Sequence, residues 1–174
     1  MIFAVIAFAM FIVFDVNKVL WNDKRLNMLF LLGVIVLAYG SYDCFIKGRT
    51  LFNIFACIKD NMLFAIAALF GIWKTYSVLF IELPFDETYA KTGKLPLVDT
   101  GAYGVCRHPG FWFLLIAYVS LSVVFFSFKA VLFSIIVSTL NLLYIYVEDI
   151  FIFPKTIYGY DDYKKRVPFL VPRR

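Results

Sequence analysis

Charge is scarce in this chain. Asp, Glu, Lys and Arg make up 17% of its 174 residues, apolar residues make up 63%, and mean hydropathy is +0.84. Globular domains carry roughly 45–50% apolar residues. A chain of this length folded in water could not bury so much apolar surface, which excludes a soluble domain. Histidine is rarer still: His108 is the single one, which removes the usual multi-histidine metal sites, and no metal is expected. The three cysteines, Cys44, Cys57 and Cys106, lack metal-ligand spacing, and an odd number cannot close a complete disulfide set. Cys106 reads as a small reduced filler. There is no GxGxxG turn, no Walker loop and no Ser-His-Asp series with supporting context, so a nucleotide-like cofactor would need something other than a Rossmann turn. Internal repeats, low-complexity tracts and a second, soluble domain are also missing. The N-terminus lacks a basic n-region and a small-residue cleavage pattern, so no removable signal peptide is expected.

Long, nearly uncharged runs fill the chain instead, without the strict alternation of a lipid-facing barrel. The expected fold is all-α, a polytopic transmembrane helical bundle in one integral membrane domain. That domain covers residues 1–174, with N-terminal spans in 1–85 and a functional core in 86–174. Five spans are expected, with four as the alternative. Residues 1–14 reach about 21 Å as a helix, so the first span needs residues 15–20 to continue it. Residues 28–42 form the second candidate, 61–85 the third, 111–127 the fourth, and 130–153 the fifth, with Pro154 expected to end that helix. Residues 51–58 are too short to cross and read as interfacial or re-entrant. The one long polar loop is 86–109.

Lys129 marks a tight hairpin between the last two spans, which makes them antiparallel and sets residues 103–109 beside residues 148–155. From 154 to 174 there are six basic and two acidic residues, a surplus of +4. The positive-inside rule makes that end cytoplasmic, facing anionic lipid heads, and with five spans it places the N-terminus outside. The membrane accounts for the basic tail, so a nucleic-acid partner is not expected. Residues 15–27 and 43–60 each carry three basic and two acidic residues, too even a balance to vote.

The remaining polar chemistry collects at helix ends. Glu148 and Asp149 interrupt an apolar run, where each carboxylate costs on the order of 3 kcal/mol at a helix centre and less near the interface. They read either as wet at headgroup level or as a site. Asn141, Tyr144 and Glu148, at i, i+3 and i+7, share a face, and such a stripe points into a bundle. Arg107-His108-Pro109 reads as a helix cap with Arg107 snorkelling to phosphates, or as part of the same site. Lys74 and Glu82, two turns apart, read as interface anchors.

Three blocks carry a resemblance: residues 97–109, ending Gly101-Ala-Tyr103-Gly-Val-Cys-Arg107-His108-Pro109; the Glu148-Asp149 pair; and Tyr160-Asp-Asp-Tyr163-Lys-Lys-Arg166-Val-Pro168. Together, over about eighty residues and in this order, they resemble the isoprenylcysteine carboxyl methyltransferase and phospholipid methyltransferase superfamily. The resemblance implies a membrane-embedded methyltransferase using S-adenosylmethionine, with a cytoplasmic cofactor pocket formed by the last two spans and the tail, and a hydrophobic or lipid-like acceptor drawn from the bilayer. Carried over position by position, the cofactor contacts fall on Leu95, Pro96, Leu97, Val98, Tyr103, His108, Pro109, Gly110, Phe111 and Glu148. Arg107, Tyr144 and Asp149 become candidate substrate-binding residues, and no catalytic acid or base is implied. Phe111 stands where the family often has tyrosine, and Asp149 where it has a second glutamate. Tyr144 stands where prenylcysteine enzymes have an arginine, so a substrate carboxylate would lose its partner. Two other readings remain open: an NADPH-dependent membrane reductase, and a non-enzymatic membrane protein on the same scaffold.

Overall fold

A computed structural model of the chain describes residues 1–81 and 94–171. The described residues are helical, with no strand among them. Helix α1 (Ile2–Leu20) turns back through a short 3-10 segment into α2 (Met28–Phe45). Asn17, almost fully buried, ties that turn: its Nδ2 donates to the Asp23 carbonyl at 2.9 Å, and its Oδ1 accepts from the Asp23 N–H at 2.9 Å. Helix α3 (Leu51–Asp60) starts at a Thr50 cap and leads into α4 (Met62–Tyr76), which a widened π turn extends through Ile81. Helix α5 (Pro109–Val124) begins with proline, tolerated there because the first-turn N–H has no intrahelical acceptor. Ser127 caps α6 (Phe128–Val147) by accepting from the Ala130 N–H at 3.1 Å. A π turn at Glu148–Ile152 and a last helical turn at Phe153–Thr156 carry that rod onward, and α7 (Tyr160–Arg166) folds back over its end.

Four of these rods are long and apolar enough to cross a membrane: Ile2–Leu20, Lys24–Phe45, Met62–Ile81 and Phe128–Thr156. Helix α5 is apolar but 16 residues long, about 24 Å, and packs along both α4 and α6. The short helix α3 has no buried residue. Pro154 does not end the last rod, which runs to Thr156. The π turn before it interrupts the i→i−4 ladder, so proline falls in the first turn of a new segment where its missing N–H costs nothing.

Small residues bring the helices together, as expected where lipid removes the hydrophobic drive between them. A Cβ on Gly71 of α4 would sit 2.7 Å from the Phe113 carbonyl oxygen and 2.8 Å from the Ala117 nitrogen, so α4 and α5 touch backbone to backbone. On α1 Ala4 and Ala7 are fully buried, and a Cβ on Gly33 of α2 would strike the Phe11 ring at 2.6 Å and sit 3.2 Å from the Ala7 carbonyl oxygen. Phe8, Phe11, Phe45, Tyr118, Phe125 and Phe133 fill the centre of the bundle. Outward-facing positions such as Leu31, Leu63, Leu69 and Phe70 are apolar and exposed, as a lipid boundary requires.

Among the described residues, this path gathers at one pole the C-terminal ends of α1, α4 and α6, the N-terminal ends of α2 and α5, and the short helix α7. The opposite pole holds α3 and the α5–α6 hairpin, where Lys129 Nζ lies 2.6 Å from Asp43 Oδ2 at the end of α2.

Candidate functional site

At the first pole two sequence neighbours, Glu148 and Asp149, open the π turn and, about 100° apart around the helix, meet different partners. Asp149 faces the loop before α5 and the tail; Glu148 faces α1.

Asp149 is the hub. Its Oδ1 accepts from Arg107 Nε at 2.7 Å and its Oδ2 from Arg107 Nη2 at 3.0 Å, a two-pronged pair whose side chains are 8% and 5% exposed. The Tyr160 hydroxyl donates to Oδ1 at 2.6 Å, and Lys164 Nζ lies 3.3 Å from Oδ2. His108 Nε2 is 3.3 Å from Oδ1; an ionised carboxylate only accepts, so this bond keeps the imidazole proton on Nε2. Burial lowers the His108 pKa below its usual value, partly offset by Asp149, so the ring is held neutral. Burial, then the bond to Asp149, pushes the Tyr160 phenol up, which keeps it a donor.

The tail is fastened by the same arginine. Arg107 Nη1 donates to the carbonyls of Val167 at 2.6 Å and Lys164 at 3.1 Å, and the Arg107 N–H donates to the Pro168 carbonyl at 2.9 Å. Tyr163 donates to the Tyr103 carbonyl at 2.7 Å, and Tyr103 donates to the Val78 carbonyl at 3.1 Å, tying tail, turn and α4 in series. His108 stacks on Phe153 with ring centroids 5.6 Å apart and meets Phe169 edge-on at 5.0 Å. An open groove beside this junction is lined by Arg107 and the stretch from Lys164 to Val171.

Around Glu148 a second cluster forms. The Tyr144 hydroxyl donates to Asp15 Oδ2, reaching from α6 to α1, and also interacts with Glu148. Lys18, 44% exposed, lies 3.8 Å from Asp15 Oδ1. Asn141 is buried on the same face of α6. Two carboxyl groups, the Tyr144 phenol and the Lys18 ammonium meet in this cluster, with the phenol between the two carboxyl groups.

The structure therefore brings together Arg107, His108 and Asp149 around one carboxylate, and Tyr144 and Glu148 at a neighbouring cluster. Arg107 and Asp149, candidates for substrate binding, are each other's principal partner. Pro109 and Gly110 form the first turn of α5, and Phe111 is buried there with its ring 5.4 Å from that of Trp112. Leu95 forms a parallel bridge with Ile157: its N–H donates to the Thr156 carbonyl at 2.7 Å, and its carbonyl accepts from the Tyr158 N–H at 3.0 Å. Leu97 packs on Tyr160, Tyr163 and Val167, while Pro96 and Val98 flank it, half-buried. Lys74 lies over the rings of Trp73 and Phe113; Glu82 lies outside the described residues. Cys106 is buried, and that burial raises its thiol pKa, which disfavours the thiolate.

Asp15 is the residue that sequence reasoning missed. Its signal is present: Ala4, Ala7, Phe8, Phe11 and Asp15 follow the 3–4 spacing of one buried stripe, so a carboxylate falls where the pattern calls for an apolar side chain. Among the described residues no three His, Cys, Asp or Glu side chains are grouped to hold a metal ion. Comparison with protein-family models, with curated proteins and with solved structures gives no match.

Proposed function

We propose that this chain is a membrane-embedded methyltransferase that uses S-adenosylmethionine and acts on a hydrophobic or lipid-like acceptor. In this reading it crosses the bilayer five times, the short α5 being the fourth span, and the pole carrying Asp149 faces the cytoplasm. One observation carries the reading. Three blocks far apart in sequence, Tyr103–Pro109, Glu148–Asp149 and Tyr160–Pro168, are held in one bonded unit by the Asp149 carboxylate and the Arg107 guanidinium.

The residues present fit the cofactor. Its sulfonium and ammonium groups are cationic and its ribose offers hydroxyl donors, which suit the two carboxyl groups in the cluster of Asp15, Tyr144 and Glu148. Glu148 would accept from ribose hydroxyls or pair with the amino group, and the aromatic walls at His108, Phe153 and Phe169 suit a planar base. Bound there, the cofactor supplies an electrophilic methyl group, and the chain's contribution is to orient the reactants and exclude water. Arg107 and Asp149 act as positioning residues, fixing the tail against the α5 end. The Arg107 guanidinium is already occupied by one carboxylate and two carbonyls, so it has no fork to offer an acceptor carboxylate. With Tyr144 in place of an arginine, the acceptor is not a prenylcysteine carboxylate.

Calorimetric titration of the detergent-purified protein with S-adenosylhomocysteine, and separately with NADPH, tests the reading. Binding of the former alone is expected, with a large loss in Glu148→Ala. Binding of NADPH alone would make the chain a reductase, and binding of neither would leave a non-enzymatic role. A methyl-transfer assay comparing a prenylcysteine analogue with neutral lipid and amine acceptors tests the acceptor class; preferential methylation of the analogue would sink that part.

A further inference from the structure

Helix α3 connects two membrane-crossing rods yet has no buried residue. Its side chains fall into three sectors at about 100° per residue. Ile54 and Cys57 lie within about 60° of each other and pack against the core of the bundle. Leu51, Phe55 and Ile58 occupy a second arc of about 60°, and Phe52 lies about 60° beyond Phe55, with Lys59 between the two. Three of these four are among the most exposed apolar side chains of the chain: Leu51 at 74%, Phe52 at 81% and Phe55 at 68%. Asn53 and Asp60 lie on the far side of the helix from that apolar arc. A soluble amphipathic helix needs two sectors, one for the core and one for water. A third, apolar and uncovered, calls for a second apolar phase.

The position of α3 says which phase. It links the end of α2 to the start of α4, so it lies where two spans leave the membrane. Arg49, in the turn before it, donates from Nη2 to the Phe125 carbonyl at 3.2 Å, which joins α3 to the tip of the α5–α6 hairpin. That tip exposes Phe126 and Phe128 at 78% and 83%. Helix α5 is about 24 Å long, shorter than the roughly 30 Å of a bilayer's hydrocarbon core, so one of its ends falls within the apolar layer; the exposed Phe126 and Phe128 suit the hairpin tip to that depth, with Lys129 paired to Asp43.

We propose that α3 lies in the plane of the membrane–water interface, in the leaflet opposite the Asp149 pole. Its Leu51, Phe55 and Ile58 face enters the upper acyl chains beside Phe126 and Phe128, and Asn53 and Asp60 face water. Lys59 snorkels along the boundary toward the headgroups. The helix is thus an anchor that fixes the depth of the short α5, whether or not the opposite pole transfers methyl groups.

The first test uses the unaltered chain in phosphatidylcholine nanodiscs containing a phospholipid with a diazirine on its upper acyl chain. Trypsin after Arg49 and Lys59 releases Thr50–Lys59 as one peptide, and His108–Lys129 carries α5. Adducts on both peptides, centred on Phe52 and Phe55 in the first, are expected. Adducts on His108–Lys129 with none on Thr50–Lys59 overturn the proposal. The second test compares nitroxides at Phe55→Cys and Asn53→Cys in a background with the native cysteines replaced. Oxygen should collide more often than a water-soluble nickel chelate at position 55, and the order should reverse at 53. Protection from both at position 55, with dipolar broadening between labels, would assign the face to a second copy of the chain.

Discussion

Arg107 and Asp149, 42 residues apart, form a buried two-pronged ion pair that fastens the C-terminal tail to the start of α5. The arginine spends its remaining donor group on the carbonyls of Lys164 and Val167, and the carboxylate also holds Tyr160, His108 and Lys164. A pair that is so fully bonded stabilises a particular arrangement and is costly to halve.

Asp149→Ala and Arg107→Ala should each destabilise the protein by about 3–5 kcal/mol, because each leaves a buried charge without its partner. The double variant Arg107→Met, Asp149→Leu should lose clearly less than the sum of the two singles. Unfolding in detergent micelles, followed by a thiol-reactive dye or by scattering, measures all three. Single variants as stable as wild type would mean that the pair does not hold the tail.

His108 gives a pH signature that can be assigned, because the chain has one histidine. Its folded-state pKa lies below the unfolded value of about 6.5, since burial disfavours the imidazolium. The unfolded chain therefore takes up the proton first as pH falls. Stability from this group is fully present above about pH 6.5 and is lost as pH drops from there through the lower folded value. Thermal midpoints of wild type should fall across that window, and His108→Gln should flatten the difference curve. A curve with the same slope in both proteins would assign the acid sensitivity to carboxylates alone.

At Gly71 the backbones of α4 and α5 are in direct contact. Gly71→Leu should cost about 1–3 kcal/mol by overpacking, since the added atoms meet backbone that has no rotamer to change. Gly110→Ala is the contrast: its Cβ would make ordinary contacts of 3.9 and 4.0 Å with the side chains of Leu79 and Val78. Near-equal stability of the two variants would contradict the close approach.

Sidedness can be read by thiol labelling. Lys165 is exposed, and the bridge from Leu95 to Ile157 sets Lys94 at the same pole. Lys165→Cys and Lys94→Cys should both react with an impermeant maleimide in inverted membrane vesicles and stay unlabelled in right-side-out ones. Labelling from the outside at both sites would reverse the orientation drawn from the basic tail. Labelling from different sides would break the bridge itself.

The resemblance drew attention to Arg107, His108, Tyr144, Glu148 and Asp149 but assigned them jobs one at a time. Taken singly, Arg107 and Asp149 are candidates for a substrate; in the fold they hold each other. The reason is geometric: a sequence shows that a cation and an anion exist, and only their separation in space shows whether one neutralises the other.

By itself the sequence determined the helical membrane-protein class, because the cost of exposing this much apolar surface to water leaves no soluble alternative. It also determined the hairpin at Lys129, since so short a polar break between two long apolar runs makes them antiparallel neighbours. Tertiary structure alone decided three things. It gave the neighbours Glu148 and Asp149 different partners, because successive residues on a helix point about 100° apart and each direction meets a different packed element. It carried the last rod past Pro154, because that residue's missing N–H falls where the ladder is already broken. And it brought Asp15 of α1 to Tyr144 of α6, 129 residues away: the buried stripe of α1 marks Asp15 as facing inward, but only the packing of α1 on α6 supplies its partner.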